Sequence, residues 1–196
     1  MLLRTMLLAH VTACIPVLTS PPGTGTEGGA WVAPENSWSQ CDGPPTGLEG
    51  EGLAVGEVAP DFRLVDQFGA EVALWQFHGC NVVLDFSTGW CGPCQDLAQE
   101  AQAIADEYRD NGVVYLTIMP QDIEGDVPDQ AFLAEWGETF DLAEPILADA
   151  EGYTYQLVTG DRGFPAVLLV GADGTVVADI YPISDSTIRA AIESAI

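Results

Sequence analysis

The feature that most constrains this chain is the run Trp90-Cys91-Gly92-Pro93-Cys94, set between a short apolar stretch and a segment of helical periodicity. Asn81 to Phe86 (Asn-Val-Val-Leu-Asp-Phe) has the length and apolarity of a buried central strand. From about Cys91 to Arg109, Leu97, Ala101, Ile104 and Tyr108 recur at helical spacing, and Asn111-Gly112 ends the helix. The cysteine pair therefore stands where strand gives way to helix. The first amides of a helix lack partners and its dipole is positive at that end, so a thiolate at Cys91 is stabilised. Pro93 suits a first helical turn, where no amide hydrogen is missed. Cys94 lies one turn inward. Cys91 is expected to attack a disulfide, and Cys94 to resolve the mixed disulfide.

The rest of the chain predicts an α/β fold. Phe62 to Val65 and Glu71 to Leu74 read as strands around the turn Asp66-Gln67-Phe68-Gly69. Val113 to Met119 is a buried strand, Asp129 to Glu138 a helix, and Pro145 to Ala148 a short strand. Phe164 to Val170 turns at Ala172-Asp173-Gly174 into Thr175 to Tyr181. A final helix over Ser184 to Ile196 is capped by Ser184 or Asp185. Strands alternating with helices suggest a mixed sheet with helices on both faces, folded from about Val55 onward.

A strand ending in Leu84-Asp85-Phe86-Ser87-Thr88-Gly89, then Trp-Cys-Gly-Pro-Cys, then a helix, resembles the active-site arrangement of the thioredoxin superfamily. Phe164-Pro165-Ala166-Val167 followed by Gly171-Ala172-Asp173-Gly174 resembles that family's cis-proline strand and hairpin. With a hairpin before the core and an insert between the Val113 strand and Pro165, residues 55–196 look like the membrane-anchored TlpA/ResA-type disulfide reductases of the wider AhpC/TSA-like group. The resemblance implies a three-layer thioredoxin-like sandwich with an N-terminal β-hairpin extension. It implies a cis Pro165 packed against the active-site disulfide, and Phe164, where relatives often carry a smaller residue, beside the substrate backbone. Trp90, Gly92 and Pro93 would face the substrate. Asp85 is a charged residue on an apolar strand, which is costly without a role. By the resemblance it helps deprotonate Cys94. Relatives place a Lys nearby; this chain has no Lys at all.

The N-terminus reads as export. Arg4, a short apolar stretch and Val11-Thr12-Ala13-Cys14 suit a signal peptide over 1–13, and the pattern resembles a bacterial lipobox that would leave Cys14 lipid-modified. Residues 14–54, rich in Pro, Gly, Ser and Thr, read as a flexible tether to a membrane, with Trp31 and Trp38 docked or exposed. Cys41 and Cys80 are left either to form a structural disulfide or to stay unpaired. Four cysteines at this spacing make a poor zinc site, so no metal and no cofactor beyond the Cys91–Cys94 disulfide is expected. A formal net charge of −25 argues against nucleic acid and against electrostatic binding to an anionic bilayer.

The expected partners are protein thiols or disulfides and an upstream electron donor. The chain would meet a membrane only through its lipid anchor, on the periplasmic or outer side, and work as a monomer. Two rival readings are a peroxiredoxin-like thiol peroxidase and a thioredoxin-like binding module. The peroxidase would use Thr88 three residues before Cys91, but has Leu84 where a Pro is expected. His78 is read as a surface residue.

Overall fold

The computed structural model describes residues 30–157 and 163–196; residues 1–13, expected to be a signal peptide, and Cys14 lie outside the described residues. Among the described residues seven strands form one sheet: β1 (Arg63–Asp66), β2 (Glu71–Ala73), β3 (Asn81–Phe86), β4 (Val113–Met119), β5 (Ile146–Ala148), β6 (Ala166–Val170) and β7 (Val176–Ile180), in the order β2-β1-β5-β4-β3-β6-β7. β3, β4 and β5 run parallel, while β6, β7, β1 and β2 each pair antiparallel to a neighbour. The β1–β2 hairpin joins the main sheet through β5, which makes it the sheet's outer edge. The described residues also form three α-helices: α1 (Gly92–Tyr108), α2 (Gln130–Phe140) and α3 (Asp185–Glu193).

Local chemistry sets the ends of these elements. Gly112 leaves the region after α1 in a left-handed conformation, with φ 73°. Asp129 caps α2 by accepting from the Phe132 amide at 2.8 Å. Ser184 and Thr187 cap α3 reciprocally. β6 begins at Ala166 rather than at Phe164, and β2 ends one residue before Leu74, where a 3-10 turn over Leu74–Phe77 takes over.

The two faces of the sheet are covered differently. Leu97, Ala101, Ile104 and Tyr108 of α1 and Ile188 and Ile192 of α3 pack on Val83, Tyr115, Val167 and Leu169. Leu133 and Trp136 of α2 meet Ala98 of α1, Met119 and Ile146. Side chains alternate along a strand, so the opposite face presents Leu84, Phe86, Leu116, Ile118 and Leu168. Among the described residues that face is covered by the 3-10 turns at Leu74–Phe77 and Tyr153–Gln156 and by the N-terminal segment, not by an α-helix. The topology explains it. The β3–α1–β4 and β4–α2–β5 crossovers step the same way across the sheet, and right-handed crossovers then place both helices on one face.

Residues 30–54 are not the free tether their composition suggested. The Trp31 indole donates to Asp61 at 2.9 Å and the Trp38 indole to the buried Asp66 at 2.6 Å. Asn36 donates to the Glu71 carbonyl at 2.7 Å, and the Cys41 and Gly43 amides donate to the carbonyls of Gln76 and His78. A Cys41–Cys80 disulfide, with Cα atoms 6.0 Å apart, clamps this segment to the start of β3. Each of these bonds joins residues far apart in sequence, which local composition does not report. The bridge spans 39 residues, and closing a loop of that size restricts the unfolded chain by about 4 kcal/mol. Replacing both Cys41 and Cys80 by Ala should lower the unfolding free energy in guanidinium titrations by about 2–4 kcal/mol while the Cys91–Cys94 pair stays intact.

Candidate active site

The site is built at the carboxyl end of β3. This strand is hydrogen-bonded to β4 on one side and β6 on the other, so its register is held twice over. Beyond Phe86 the chain stays pinned. Ser87 N–H donates to the Ile118 carbonyl at 3.0 Å, Gly89 N–H to the Gln121 carbonyl at 2.9 Å, and the Gln95 side chain to the Gly89 carbonyl at 2.9 Å. Gly89 is required by close approach. A β-carbon there would lie 2.7 Å from the carbonyl carbon of Asp122, 2.8 Å from the Ile123 nitrogen and 2.7 Å from the Phe132 ring.

Cys91 is the N-cap of α1, in extended backbone conformation, with Pro93 in the first turn. Its sulfur accepts the Cys94 N–H at 3.2 Å and is disulfide-bonded to Cys94, with Cα atoms 5.2 Å apart. An amide aimed at the sulfur and the positive end of a 17-residue helix both favour a thiolate at Cys91 once the bond opens. Cys94 is 0% exposed and Cys91 4%, so Cys91 is the sulfur an outside partner can reach.

Asp85 sits on the β3 face that lies under α1 and is 1% exposed. Ser87 donates to one carboxylate oxygen at 2.7 Å and Tyr115, from β4, to the other at 3.0 Å. Burial outweighs both bonds and pushes the Asp85 carboxyl up to about 6. Burial, with the Asp85 charge beside it, likewise pushes the Tyr115 phenol well above its ordinary value. A carboxyl poised near neutrality can hold or release a proton at working pH, which a fully ionised surface Asp does poorly.

The mouth of the site is aromatic. Trp90 is 51% exposed, meets the Phe164 ring edge-on with centroids 6.0 Å apart, and donates from its indole to the Gln121 side chain at 3.0 Å. The Phe164–Pro165 peptide bond is cis, and β6 starts immediately after it. Gly92 and Pro93 are exposed beside Cys91. The structure thus brings Trp90, Cys91, Gly92, Pro93, Cys94 and Phe164 to one end of the sheet, with Asp85 below. Cys41 and Cys80 lie at the start of β3, away from this end.

Ser87, Tyr115 and Gln121 were not anticipated. Tyr115 could have been found from strand alternation, as a polar group on the face that Asp85 shares; nothing in the sequence marks Gln121. His78 is half-buried rather than a surface residue, its Nδ1 without a partner among the described residues, and it stands near Cys80, not near Cys91. Thr88 is fully buried with its hydroxyl likewise unpaired, and Leu84 lies mid-strand in the core. Among the described residues no three His, Cys, Asp or Glu side chains gather as metal ligands.

This arrangement defines a thioredoxin-fold protein carrying a dithiol–disulfide centre at a helix N-terminus. Residues 55–178, more than half of the chain, match the model of the AhpC/TSA family, and the chain belongs to that family. The thiol-disulfide oxidoreductase ResA of Bacillus thuringiensis is 27% identical over 133 residues, covering 66% of this chain and 71% of that protein. The thioredoxin-like protein YneN of Bacillus subtilis is 26% identical, covering 66% and 72%. Two crystal structures share the fold. The thioredoxin domain of a thiol-disulfide oxidoreductase from Bacteroides vulgatus has a TM-score of 0.60 at 21% identity, covering 74% of this chain and 99% of that one. A thiol:disulfide interchange protein of Chlorobium tepidum has a TM-score of 0.61 at 18% identity, covering 72% and 97%.

The Asp85 environment has a measurable sign. Folding raises its pKa, so the folded state holds this proton more tightly than the unfolded chain does. The unfavourable contribution is absent below the ordinary carboxylate range, grows from there up to about pH 6, and is fully present above it. Asp85→Asn should therefore stabilise the fold by about 1–3 kcal/mol at about pH 7.5 and by almost nothing at about pH 4, as read from denaturant midpoints at the two values.

Proposed function

We propose that the protein is an exported thiol–disulfide oxidoreductase that reduces disulfides of other proteins. The observation that carries this reading is the Cys91 sulfur at the N-cap of α1, accepting the Cys94 amide, with Cys94 buried directly behind it. The names of the relatives ResA and YneN support it.

In the reduced state the Cys91 thiolate attacks one sulfur of a client disulfide. A Cys91–client bond forms and the other client sulfur leaves as a thiolate, which takes up a proton. Asp85 accepts the Cys94 proton, and the Cys94 thiolate attacks the Cys91 sulfur. The Cys91–Cys94 disulfide forms and the second client thiolate leaves. Two electrons have passed from the dithiol to the client, and an upstream donor must restore them. With no Lys in the chain, the proton held by Asp85 is tuned by burial and by the Ser87 and Tyr115 hydroxyls. Pro165 and Phe164 flank the site where the client backbone would lie, and Trp90 covers its mouth. The finer points of the reading are a signal peptide over 1–13, a lipid on Cys14 that anchors the chain to the outer side of a bacterial membrane, and action as a monomer.

In a disulfide-reduction assay with a chemical donor, Cys91→Ser should abolish turnover. Cys94→Ser should stop after one attack and accumulate the mixed disulfide on Cys91, visible by mass. Asp85→Asn should slow the release of that intermediate by about 10–100-fold. Consumption of hydrogen peroxide without disulfide reduction would replace this reading with that of a thiol peroxidase.

A further inference from the structure

β4 hands over at Pro120 to a loop, residues 120–128, that runs along the active-site motif. Gln121 grips the motif twice, through its carbonyl to the Gly89 amide and through its side chain to the Trp90 indole. The missing β-carbon of Gly89 lets the Asp122–Ile123 backbone lie flat against it. The loop holds its own shape. One Asp122 oxygen accepts the amides of Glu124, Gly125 and Asp126 at 2.9, 2.9 and 3.0 Å, and the Asp122 amide donates to the Asp126 carbonyl at 2.8 Å. This wall therefore exists before anything binds.

The wall presents two kinds of chemistry. Ile123 is 62% and Val127 52% exposed, and the Ile123 backbone lies against Gly89, the residue before the half-exposed Trp90. Glu124 and Asp126 stand exposed between them. Among the described residues neither is paired with a cation: Arg63 pairs with Glu71, Arg109 with Asp106 and Glu144, and Arg189 with Glu107. Exposed aliphatic side chains beside a reactive sulfur gain by being covered, and unpaired carboxylates in a strongly acidic protein attract a cationic partner and repel an anionic one.

We infer that loop 120–128 selects the client: a polypeptide with a bulky apolar residue next to its disulfide-bonded cysteine and Lys or Arg a few residues beyond. The apolar side chain covers Ile123 and Trp90, and the cations face Glu124 and Asp126. This rests on the disulfide-exchange reading and adds the substrate class to it.

The test uses the protein with three substrates: neutral hydroxyethyl disulfide, a disulfide peptide flanked by Leu and Lys, and one of equal length flanked by Ser and Glu. The basic, apolar peptide should be reduced with a kcat/KM about tenfold or more above the acidic one, and the margin should shrink as salt is raised. The double variant Glu124→Lys/Asp126→Lys should invert the charge preference. Ile123→Ser should raise KM for the Leu-flanked peptide by about tenfold with little change in kcat. A charge reversal that inverts preference is not produced by misfolding. Equal rates on both peptides, or a preference that survives the reversal, would overturn the inference while leaving the oxidoreductase reading in place. Failure to reduce any of the three, hydroxyethyl disulfide included, would overturn that reading and the inference with it.

Discussion

The site depends on one sulfur held at the start of one helix. Cys91 caps α1 and accepts the Cys94 amide, so the helix dipole and an aimed N–H both act on the atom where charge must appear. That geometry is only as good as the strand that delivers it. β3 is paired along both edges, and the residues between Phe86 and Cys91 are tied to Ile118 and Gln121, so the helix start has little room to move relative to the sheet. The clamp at the far end of β3, where Cys41 meets Cys80, secures the same strand from the other side.

Asp85 shows the balance that such a site strikes. Its burial under α1 works against the fold at neutral pH, and two hydroxyls are not enough to return the carboxyl to its ordinary range. A buried carboxyl whose pKa is raised, on the strand that leads into the Cys91–Cys94 motif, is the kind of costly group that functional sites retain.

Much of this was legible because it is local. An apolar hexad, a Trp-Cys-Gly-Pro-Cys run and a helical repeat are patterns within a few residues of each other, and they placed β3, Cys91, Cys94 and α1 within a residue of where the structure has them. Asp85 stood out as the one charge on that hexad. What escaped notice is long-range. The Trp31–Asp61 and Trp38–Asp66 bonds turn a segment with linker composition into a packed strap. The side of the sheet on which α2 lies follows from strand order, not from its own sequence. Gln121 matters only because the chain returns past Gly89 and Trp90 after β4.

The most direct measurement is an equilibrium redox titration of the purified protein, followed by tryptophan fluorescence and by alkylation with mass mapping. The account predicts one two-electron transition confined to Cys91 and Cys94, with a midpoint in the reducing thioredoxin range near about −270 mV, while Cys41–Cys80 stays oxidised. A midpoint near about −120 mV, the range of a strong oxidant, would contradict the assigned direction, and a Cys91–Cys94 pair that does not cycle would contradict the oxidoreductase account altogether.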